Sequence, residues 1–449
     1  MLDVVTDQVR LRDGTTRRNF LRAGCLGLGG MSLGQLMQLR SQAGITKPKN
    51  TSIILLWQVG GPSHLETYDM KPDAPDGYRG PFGKIKTSVP GMEVCDLLPM
   101  HAQRADRFSL IRSCTHNHAG HNEGHCMSLT GYPKWNDKIK RPVNPECGAV
   151  VSRLFGQCRD GIPVTVGMGA KHYGYVPGTT AGYWGAAYNG PVVDKGLPNT
   201  TPVVDGRRLD DRRGLLASLD SVQRNVDAFG SMEAMDSFNR QAFNIITGDK
   251  ARIAFDLKLE DQKTRDRYGE GWGQQALLAR RLVEAGVSFV TVGVPGGKLI
   301  YNWDDHAVNG DLPTAMRGRL PGYDQAVTAL IDDVYERGLD QQVMIVVMGE
   351  FGRTPQFRQA VGTRSKKLQW GRDHWPGAQS ILISGGGKRM GQVIGQTDSR
   401  GAYPKERPLG PHDVLATFYD HLGVDPQHQF VDTAGRPFNL THGSPIAEL

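Results

Sequence analysis

The chain reads Phe108-Ser-Leu-Ile-Arg-Ser-Cys-Thr-His-Asn-His-Ala-Gly-His-Asn-Glu-Gly-His-Cys-Met-Ser-Leu-Thr-Gly-Tyr-Pro133 across its most informative stretch. An apolar run ends at Ile111, and four of the 13 histidines follow within ten residues, at positions 116, 118, 121 and 125. A buried strand that leads into a polar loop is a common place for binding and catalytic residues in α/β proteins. We therefore expect a strand at 107–112 that delivers a histidine-rich loop to a functional site.

Short β-rich apolar runs alternate with amphipathic helical segments over most of the sequence. The run from Thr51 to Val59 is continuous and apolar, which is the pattern of a strand buried on both faces of a parallel sheet. Further strands are predicted at 162–166, 287–294, 343–348 and 379–384, and helices at 97–105, 144–155, 209–247, 251–268, 273–285, 324–337 and 411–422. This alternation predicts an α/β fold, a three-layer sandwich whose central, mostly parallel sheet carries helices on both faces.

Composition limits the class of protein. At 449 residues, 39% hydrophobic and 22% charged, the chain can bury a large core and does not resemble a disordered protein. Two domains, or one domain with a largely irregular then helical insertion at about 167–270, are both compatible with this length. The first 43 residues hold six Arg and three Asp, and the other 47 basic and 43 acidic residues form no basic block with interleaved aromatics. Nucleic-acid binding is therefore not expected.

Residues 1–43 resemble a twin-arginine export signal. The sequence Thr16-Arg-Arg-Asn-Phe-Leu-Arg22 precedes a Gly- and Leu-rich, weakly hydrophobic stretch that runs through Leu39. Small residues in Ser41-Gln-Ala43 place the predicted cleavage before residue 44. The alternatives are a basic amphipathic helix and a lipoprotein signal at Cys25, although most of the apolar run follows that cysteine.

This signal predicts the compartment of the mature protein, residues 44–449. We expect the twin-arginine export machinery to deliver it folded, as a periplasmic or secreted protein, and this route often carries proteins that load a metal or cofactor first. No later segment approaches a membrane span, so no transmembrane anchor is predicted. Five cysteines remain after cleavage, without any Cys-x-x-Cys pair. One or two disulfides are compatible with an oxidising compartment, and the sequence does not indicate their pairing.

Three further polar loops lie at strand ends and carry carboxylate, imidazole and guanidinium groups, namely Asn302-Trp-Asp-Asp-His306, Gly349-Glu-Phe-Gly-Arg-Thr-Pro355 and Gly371-Arg-Asp-His-Trp-Pro376. Because such loops gather at one edge of a mostly parallel sheet, we expect them to meet the histidine loop there. Carboxylates and imidazoles are the ligands that zinc, manganese and iron prefer. Each loop alone also fits a cap or a tight turn, so the prediction of a metal site depends on their co-occurrence.

The same motifs resemble a bacterial family known as domain of unknown function 1501, itself similar to the alkaline phosphatase and sulfatase superfamily. The resemblance covers nearly all of the mature chain and is carried by Gly60-Gly-Pro-Ser-His64, Arg112–His121, Trp303–His306, Gly349–Pro355 and Gly371–Pro376. It implies a central, mostly parallel sheet with metal ligands on the loops at its carboxyl ends. Residues 44–449 are then one alkaline phosphatase/sulfatase-like domain.

The resemblance also implies ligands. Asp304, His306 and His374 match one metal site of the superfamily, and Glu350 lies where a second site has an aspartate. Two other positions of that second site depart from the pattern, because Gln58 and Phe351 replace its ligands. A second ion would therefore need substitutes from the histidine loop, from His116, His118 or His121. The implied cofactor is a divalent metal, zinc or manganese, as one or two ions, with one ion the simpler expectation.

Leu129-Thr-Gly-Tyr-Pro133 resembles the motif that closes the nucleophile loop of sulfatases. Counting back from it places His121 where sulfatases carry the cysteine that becomes formylglycine. No Cys-x-Pro-x-Arg or Ser-x-Pro-x-Arg sequence is present, so a formylglycine-dependent sulfatase is not expected. The resemblance implies an exported metal-dependent hydrolase of phosphate or sulfate esters. His121 would be its nucleophile or general base, and Arg353 or Arg372 would stabilise the developing anion.

A second hypothesis is a catalytically degenerate protein that keeps this fold for binding or assembly. The replaced positions 58, 121 and 351 favour it, whereas the retained carboxylates and histidines favour the enzyme. An exported oxidoreductase is a remote third reading, since there is no Rossmann fingerprint, haem motif or iron–sulfur spacing. The expected partner is a small-molecule or polysaccharide ester, and the sequence gives no indication of the oligomeric state.

Overall fold

The computed structural model describes residues 50–156, 158–159, 161–193, 249–297, 302–432 and 434–449. The predicted signal peptide and the helix predicted at 209–247 lie outside these residues. The segment predicted as an insertion is described in part. Its first part, up to residue 193, contains two 3-10 turns, Gly182–Trp184 and Ala186–Tyr188, and a short edge strand.

An eight-stranded sheet forms the centre of the described structure. Its strands are β1 (Ser52–Gln58), β2 (Phe108–Cys114), β3 (Thr165–Gly169), β4 (Val192–Val193), β5 (Phe289–Val294), β6 (Val343–Met348), β7 (Gln379–Gly385) and β8 (Val393–Ile394). They lie in the order β4-β3-β5-β1-β6-β7-β2-β8. Among these eight strands, β7 alone is antiparallel to both of its neighbours, β6 and β2. The amino end of β7 therefore lies at the edge where the other strands have their carboxyl ends.

Helices cover both faces of the sheet. They are α1 (Pro99–Gln103), α2 (His121–Thr130), α3 (Cys147–Phe155), α4 (Asp249–Phe255), α5 (Gln262–Arg267), α6 (Trp272–Ala285), α7 (Leu312–Glu336) and α8 (Pro411–His421). Side chains alternate along β1, so that Ile54 and Leu56 pack in one core with α1, α4, α6 and α7. Ile53 and Leu55 pack in a second core with α2, α3 and α8. The predicted three-layer α/β sandwich with a mostly parallel sheet is confirmed.

The loops contain seven short antiparallel ladders, and each ladder pairs two segments of the chain. They pair Lys84–Lys86 with Glu93–Cys95, Trp135–Asn136 with Arg141–Pro142, Cys158–Arg159 with Ile162–Pro163, Gly352–Arg353 with His374–Trp375, Arg358–Val361 with Leu368–Gly371, Gln396–Thr397 with Pro404–Glu406, and Gln429–Val431 with Pro437–Asn439. The ladder between Gly352–Arg353 and His374–Trp375 matters most, because it joins two of the predicted site loops.

Several predicted boundaries are corrected by the structure. The helix predicted at 251–268 is two helices, α4 and α5, with a 3-10 turn at Leu257–Leu259 between them. The histidine-rich stretch is a loop only as far as Gly120, since α2 begins at His121 and ends before Gly131, which has a left-handed φ of 77°. The helix predicted from residue 324 begins twelve residues earlier, at Leu312, and continues through Pro321. Asp311 caps it by accepting a hydrogen bond from the Thr314 N–H.

Cys95, Cys114, Cys126 and Cys147 are free thiols in the described part of the chain, so none of these four forms one of the disulfides that an oxidising compartment allows. All four are buried. Burial raises the pKa of Cys114 to about 12, which keeps this thiol protonated and unreactive at neutral pH. Within the described ranges, none of the helices has the length and apolar character needed to cross a membrane.

Candidate functional site

The carboxyl edge of the sheet gathers the polar loops. Glu350 follows β6, His121 lies past the end of β2, and Asp304 lies in the segment that follows β5. His374 comes from the loop that precedes β7, and it reaches the same edge because β7 runs antiparallel to its neighbours. The Gly60 turn after β1 completes the edge: its φ is +110°, and a Cβ there would lie 2.8 Å from the Asp304 backbone nitrogen.

The Asp304 carboxylate is the centre of the site. Its Oδ1 atom lies 2.9 Å from Nε2 of His306, 3.1 Å from Nε2 of His374 and 3.4 Å from Nε2 of His121. The guanidinium of Arg353 donates to the same oxygen over 2.8 Å. Burial raises the pKa of Asp304, but its close contacts with the three imidazoles and the Arg353 charge outweigh it and hold this pKa far below its usual range. The carboxylate is therefore ionised at any physiological pH.

Each of the three imidazoles has its outer nitrogen held by an acceptor. Nδ1 of His306 lies 2.7 Å from an Asp373 carboxylate oxygen, and Nδ1 of His374 lies 2.8 Å from the Ala119 carbonyl oxygen. Nδ1 of His121 lies 2.8 Å from Oε1 of Glu350. An imidazole that donates outward through Nδ1–H can present its Nε2 lone pair inward. All three inner nitrogens point toward Asp304, the arrangement in which proteins orient metal-binding histidines.

This donor set fits a divalent cation. His121, Asp304 and His374 each offer one ligand atom, and these atoms all lie within 4.8 Å of one another. Nε2 of His306 lies 2.8 Å from Nε2 of His374, so a proton or a cation must lie between the two ring nitrogens. The four side chains are partly buried, with exposed fractions of 19–26%, which leaves room for an exchangeable ligand from solvent.

Protonation differs among the three histidines. Burial lowers the pKa of His121, but hydrogen bonds to Asp304 and Glu350 outweigh it and raise this pKa to about 9. Burial also lowers the pKa of His306, and its contact with Asp304 reverses the direction, so the pKa is raised. For His374 burial prevails and the pKa is lowered. A proton on Nε2 of His306 therefore satisfies the His374 lone pair when no cation lies between them.

Glu350 lies behind His121. It is 1% exposed, and its Oε1 atom accepts hydrogen bonds from His121 and from the Gly60 N–H. Its Oε2 atom is buried without a partner among the described residues. Burial raises the pKa of Glu350, but the His121 contact outweighs it, so the carboxyl is ionised. In this geometry Glu350 orients His121. Its carboxylate does not belong to the group of side chains that converge on Asp304.

The structure does not bring His116 to the cluster. Its Nε2 atom lies 2.7 Å from the Glu350 backbone carbonyl, and its Nδ1 atom accepts a hydrogen bond from the His118 N–H. Both ring nitrogens are therefore engaged with the backbone, and burial lowers the pKa of His116 to about 4. His116 supports the loop that carries Glu350, and a role as metal ligand would require it to give up one of these bonds.

The two predicted catalytic arginines are both buried. Arg353 donates to the carbonyl oxygens of Gly60, Gly61 and Trp303 as well as to Asp304. All five N–H groups of Arg372 have an acceptor, supplied by the carboxylate of Glu66 and by the carbonyl oxygens of Tyr78, Thr354 and Pro355. Arg353 therefore contacts the cluster through Asp304. Arg372 has no N–H left for a substrate, and its hydrogen bonds connect three loops of the protein.

Sequence reasoning missed several supporting residues. Asp373 orients His306, and the only signal for this role in the sequence is its position next to His374. His125, one helical turn after His121, bonds to Glu146 over 2.7 Å and to the Tyr175 hydroxyl over 2.7 Å. His172 stacks on His125, with the ring centroids 4.9 Å apart. His125 belongs to the histidine-rich stretch, whereas no sequence spacing indicates that Glu146, Tyr175 and His172 lie behind the cluster.

The amino-acid sequence matches the family described as Protein of unknown function (DUF1501) over residues 50–449. The chain belongs to this family. The match covers nearly nine-tenths of the sequence, as the resemblance of the five motifs predicted. No curated protein sequence matches this DUF1501 chain.

Solved structures resemble this DUF1501 protein only distantly. Ps i-CgsB has a TM-score of 0.41 at 12% identity, covering 88% of this chain and 75% of its own. The PsFucS1 sulfatase from Pseudoalteromonas sp. has a TM-score of 0.39 at 12% identity, with coverages of 87% and 72%. The alkaline phosphatase from the Antarctic bacterium TAB5 has a TM-score of 0.37 at 12% identity, with coverages of 84% and 99%. Likeness at this level carries no conclusion about the reaction.

Proposed function

We propose that this protein is an exported metal-dependent hydrolase of phosphate or sulfate esters that works without formylglycine. One observation carries the proposal: the Nε2 atoms of three histidines converge on the Asp304 carboxylate while each outer nitrogen is held by an acceptor. Acceptors on the outer nitrogens orient the inner lone pairs for a cation, as they do for metal-binding histidines in general.

The proposed ligands of the cation are Asp304, His306 and His374, with zinc or manganese as the metal. A divalent cation bound there would polarise an ester oxygen and lower the pKa of a coordinated water. Arg353 holds the Asp304 carboxylate from the buried side, so that its Oδ1 atom stays aimed at the cluster. Phe351, whose ring centroid lies 4.6 Å from that of His374, limits the access of water from one side.

His121 is the proposed nucleophile or general base. Glu350 accepts from its Nδ1 atom, which fixes the ring and increases the basicity of Nε2, as a carboxylate does for a catalytic imidazole. Nε2 faces the Asp304 side of the site at 3.4 Å. As nucleophile, the deprotonated Nε2 atom of His121 would attack phosphorus or sulfur and displace the alcohol, and water would then hydrolyse the phosphorylated or sulfated imidazole. As base, the same atom would take a proton from the water that attacks the ester. Alkaline quenching of a turnover reaction, followed by mass spectrometry of the α2 peptide, separates the two roles.

One observation favours a binding or assembly protein as the second candidate. The donors of Arg353 and Arg372 are engaged with backbone and carboxylates, so neither guanidinium is free for the anion that develops on an ester. A protein of this kind would bind an ester or its product without turnover, whether or not it keeps the cation site. The ligand of this binding protein would be the same as the substrate of the enzyme, a small-molecule or polysaccharide ester in the periplasm or the medium.

Metal analysis and an ester screen test the proposal together. The purified mature protein is expected to contain about one equivalent of zinc or manganese and to hydrolyse a generic aryl phosphate or sulfate. Asp304→Ala and His374→Ala should lose both metal and turnover, whereas His442→Ala, a histidine near the C-terminus that is not part of the cluster, should lose neither. Metal bound without turnover of any ester would decide for the binding protein. A native protein that takes up no divalent cation and turns over no ester would also decide for the binding or assembly protein, and turnover by a metal-free protein would overturn the metal-dependent hydrolase.

A further inference from the structure

A cavity of about 360 Å³ lies beside the cluster and is not part of it. Its lining includes three aromatic side chains, Tyr78, Trp375 and Tyr403, and two arginines, Arg358 and Arg400. The volume lies within the range of small-molecule sites, which combine apolar walls with a few placed polar groups.

The aromatic wall is fixed in place. The Trp375 ring donates its Nε1–H to the Ala402 carbonyl oxygen, and its centroid lies 5.2 Å from that of Tyr403. A Cβ on Gly377 would lie 2.6 Å from Trp375 Nε1, so the close approach of the backbone requires glycine there. The two rings form a rigid apolar corner that leaves Tyr403 55% exposed. A flat ring can pack in such a corner without any rearrangement of the protein.

The cations of the cavity have no anionic partner. In the described part of the chain, no carboxylate lies within ion-pair distance of Arg358 or Arg400. Arg358 donates to the Gln356 side-chain oxygen, and the Arg400 guanidinium lies 4.8 Å from the centre of the Tyr78 ring. The one carboxylate of the lining, Asp373, is already engaged with Nδ1 of His306. The lining therefore carries two positive charges that an anionic ligand could neutralise.

We propose that this cavity binds a six-membered ring that carries an anionic group, with the ring against Trp375 and Tyr403 and the anion paired to Arg358 and Arg400. The ring can belong to an aromatic acid, which has a flat apolar face, or to a uronic acid, whose pyranose ring has an apolar face of C–H groups; both carry a carboxylate. Because Asp373 touches both the cavity and His306, such a ligand lies next to the carboxylate that orients one histidine of the cluster. The site does not depend on any reaction at the cluster.

Calorimetric titration of the full mature protein tests this site. Benzoate and glucuronate are the anionic probes, and benzamide and glucose are their neutral counterparts. At least one anionic probe is expected to bind about tenfold more tightly than its neutral counterpart, as a charge-assisted pair with arginine provides. If benzoate shows this difference, the ligand is an aromatic acid; if glucuronate shows it, the ligand is a uronic acid. Equal affinity for charged and neutral probes in both pairs would overturn the proposal.

Variants locate the binding. The double substitution Arg358→Gln and Arg400→Gln should remove the tenfold advantage and leave the neutral probe unaffected. Arg364→Gln is the matched control, because this exposed arginine lies in the same hairpin as Arg358 and does not line the cavity. If Arg364→Gln weakens the anionic probe as much as the double variant does, the attraction is a general surface charge and the proposal fails. Should the double variant not fold, salt provides a second measurement: in the native protein, raising ionic strength should weaken the anionic probe alone.

Discussion

Nε2 of His306 and Nε2 of His374 lie 2.8 Å apart, and each ring has its other nitrogen held by an acceptor from outside the cluster. When both Nδ1 atoms carry a proton, two Nε2 atoms at this distance need a further proton or a metal between them, and the pair is then positively charged. The shared Asp304 oxygen supplies the negative charge that attracts it. Metal binding at this position should therefore displace a proton and become tighter as pH rises.

Asp373→Asn should weaken zinc binding by about 10- to 100-fold without unfolding the protein, because Asp373 orients His306 and is not itself a ligand. An asparagine can present its side-chain N–H to Nδ1 of His306 and so reverse the tautomer that aims Nε2 inward. Competition with a chromophoric chelator measures the affinity. Asp249→Asn, an exposed carboxylate that pairs with Arg252, serves as the control and should bind zinc as the native protein does. Unchanged affinity in Asp373→Asn would contradict the assigned tautomer.

Arg372→Gln should destabilise the protein by about 3–5 kcal/mol, because it leaves the Glu66 carboxylate buried without its partner. Both side chains are 0% exposed, and their closest contact is 2.8 Å. Urea unfolding of the single variants and of Glu66→Gln with Arg372→Gln gives the coupling energy. The double variant should cost much less than the sum of the two single variants. Additive effects would mean that the two residues act independently, and would reopen a catalytic role for Arg372.

The sequence predicted the sheet well because its strands are buried on both faces. Continuous apolar runs such as the one in β6 have few other interpretations, and the predicted 343–348 matches its observed bounds. The α2 helix was missed for the opposite reason. Its first turn contains His121, Glu123 and Gly124, which have no apolar periodicity, and the helix is positioned by contacts made at the functional site.

The site was predicted in outline but not in its detail. Strand-end motifs identified Asp304, His306 and His374 because such loops gather at one edge of a sheet. The sequence could not show that β7 is antiparallel, which is the reason that a loop preceding a strand reaches this edge. It also could not distinguish Arg353 from Arg372, since the difference lies in acceptors that come from distant segments, such as Glu66.

Stability should fall between pH 6.5 and about 4 through His421, which lies far from the cluster. Burial lowers the pKa of His421 to about 4. Its neutral ring lies within hydrogen-bond distance of the Ser52 and Gln342 carbonyl oxygens. Because the folded pKa is below that of the unfolded chain, the unfolded state binds more protons in this window. The stabilisation is complete above pH 6.5 and is lost as pH falls, by on the order of 3 kcal/mol.

Chemical denaturation of the native protein and of His421→Gln, at several pH values from 7.5 to about 4.5, checks this effect. The variant should be less stable at pH 7.5 and should show a shallower decline on acidification. Tyr419→Phe, a buried neighbour in α8 without a titration in this range, is the matched control and should keep the native slope. If the free energy of unfolding fell equally with pH in the native protein and in His421→Gln, the acid sensitivity would come from other groups.

Gly60→Ala should damage the site and the fold together. Gly60 has a φ of +110°, and its Cβ would lie 2.8 Å from the Asp304 nitrogen and 2.9 Å from the Trp303 nitrogen, so the backbone that carries Asp304 must move. Gly77 is the matched control, because its φ is +82° and a Cβ there meets nothing within 4 Å. Gly77→Ala should cost about 1–2 kcal/mol of backbone strain and leave zinc affinity unchanged. Gly60→Ala should cost more than Gly77→Ala in urea unfolding and should also weaken zinc binding, since Asp304 no longer faces its histidines. If both variants bound zinc equally, the close approach of these two segments would not be what positions the carboxylate.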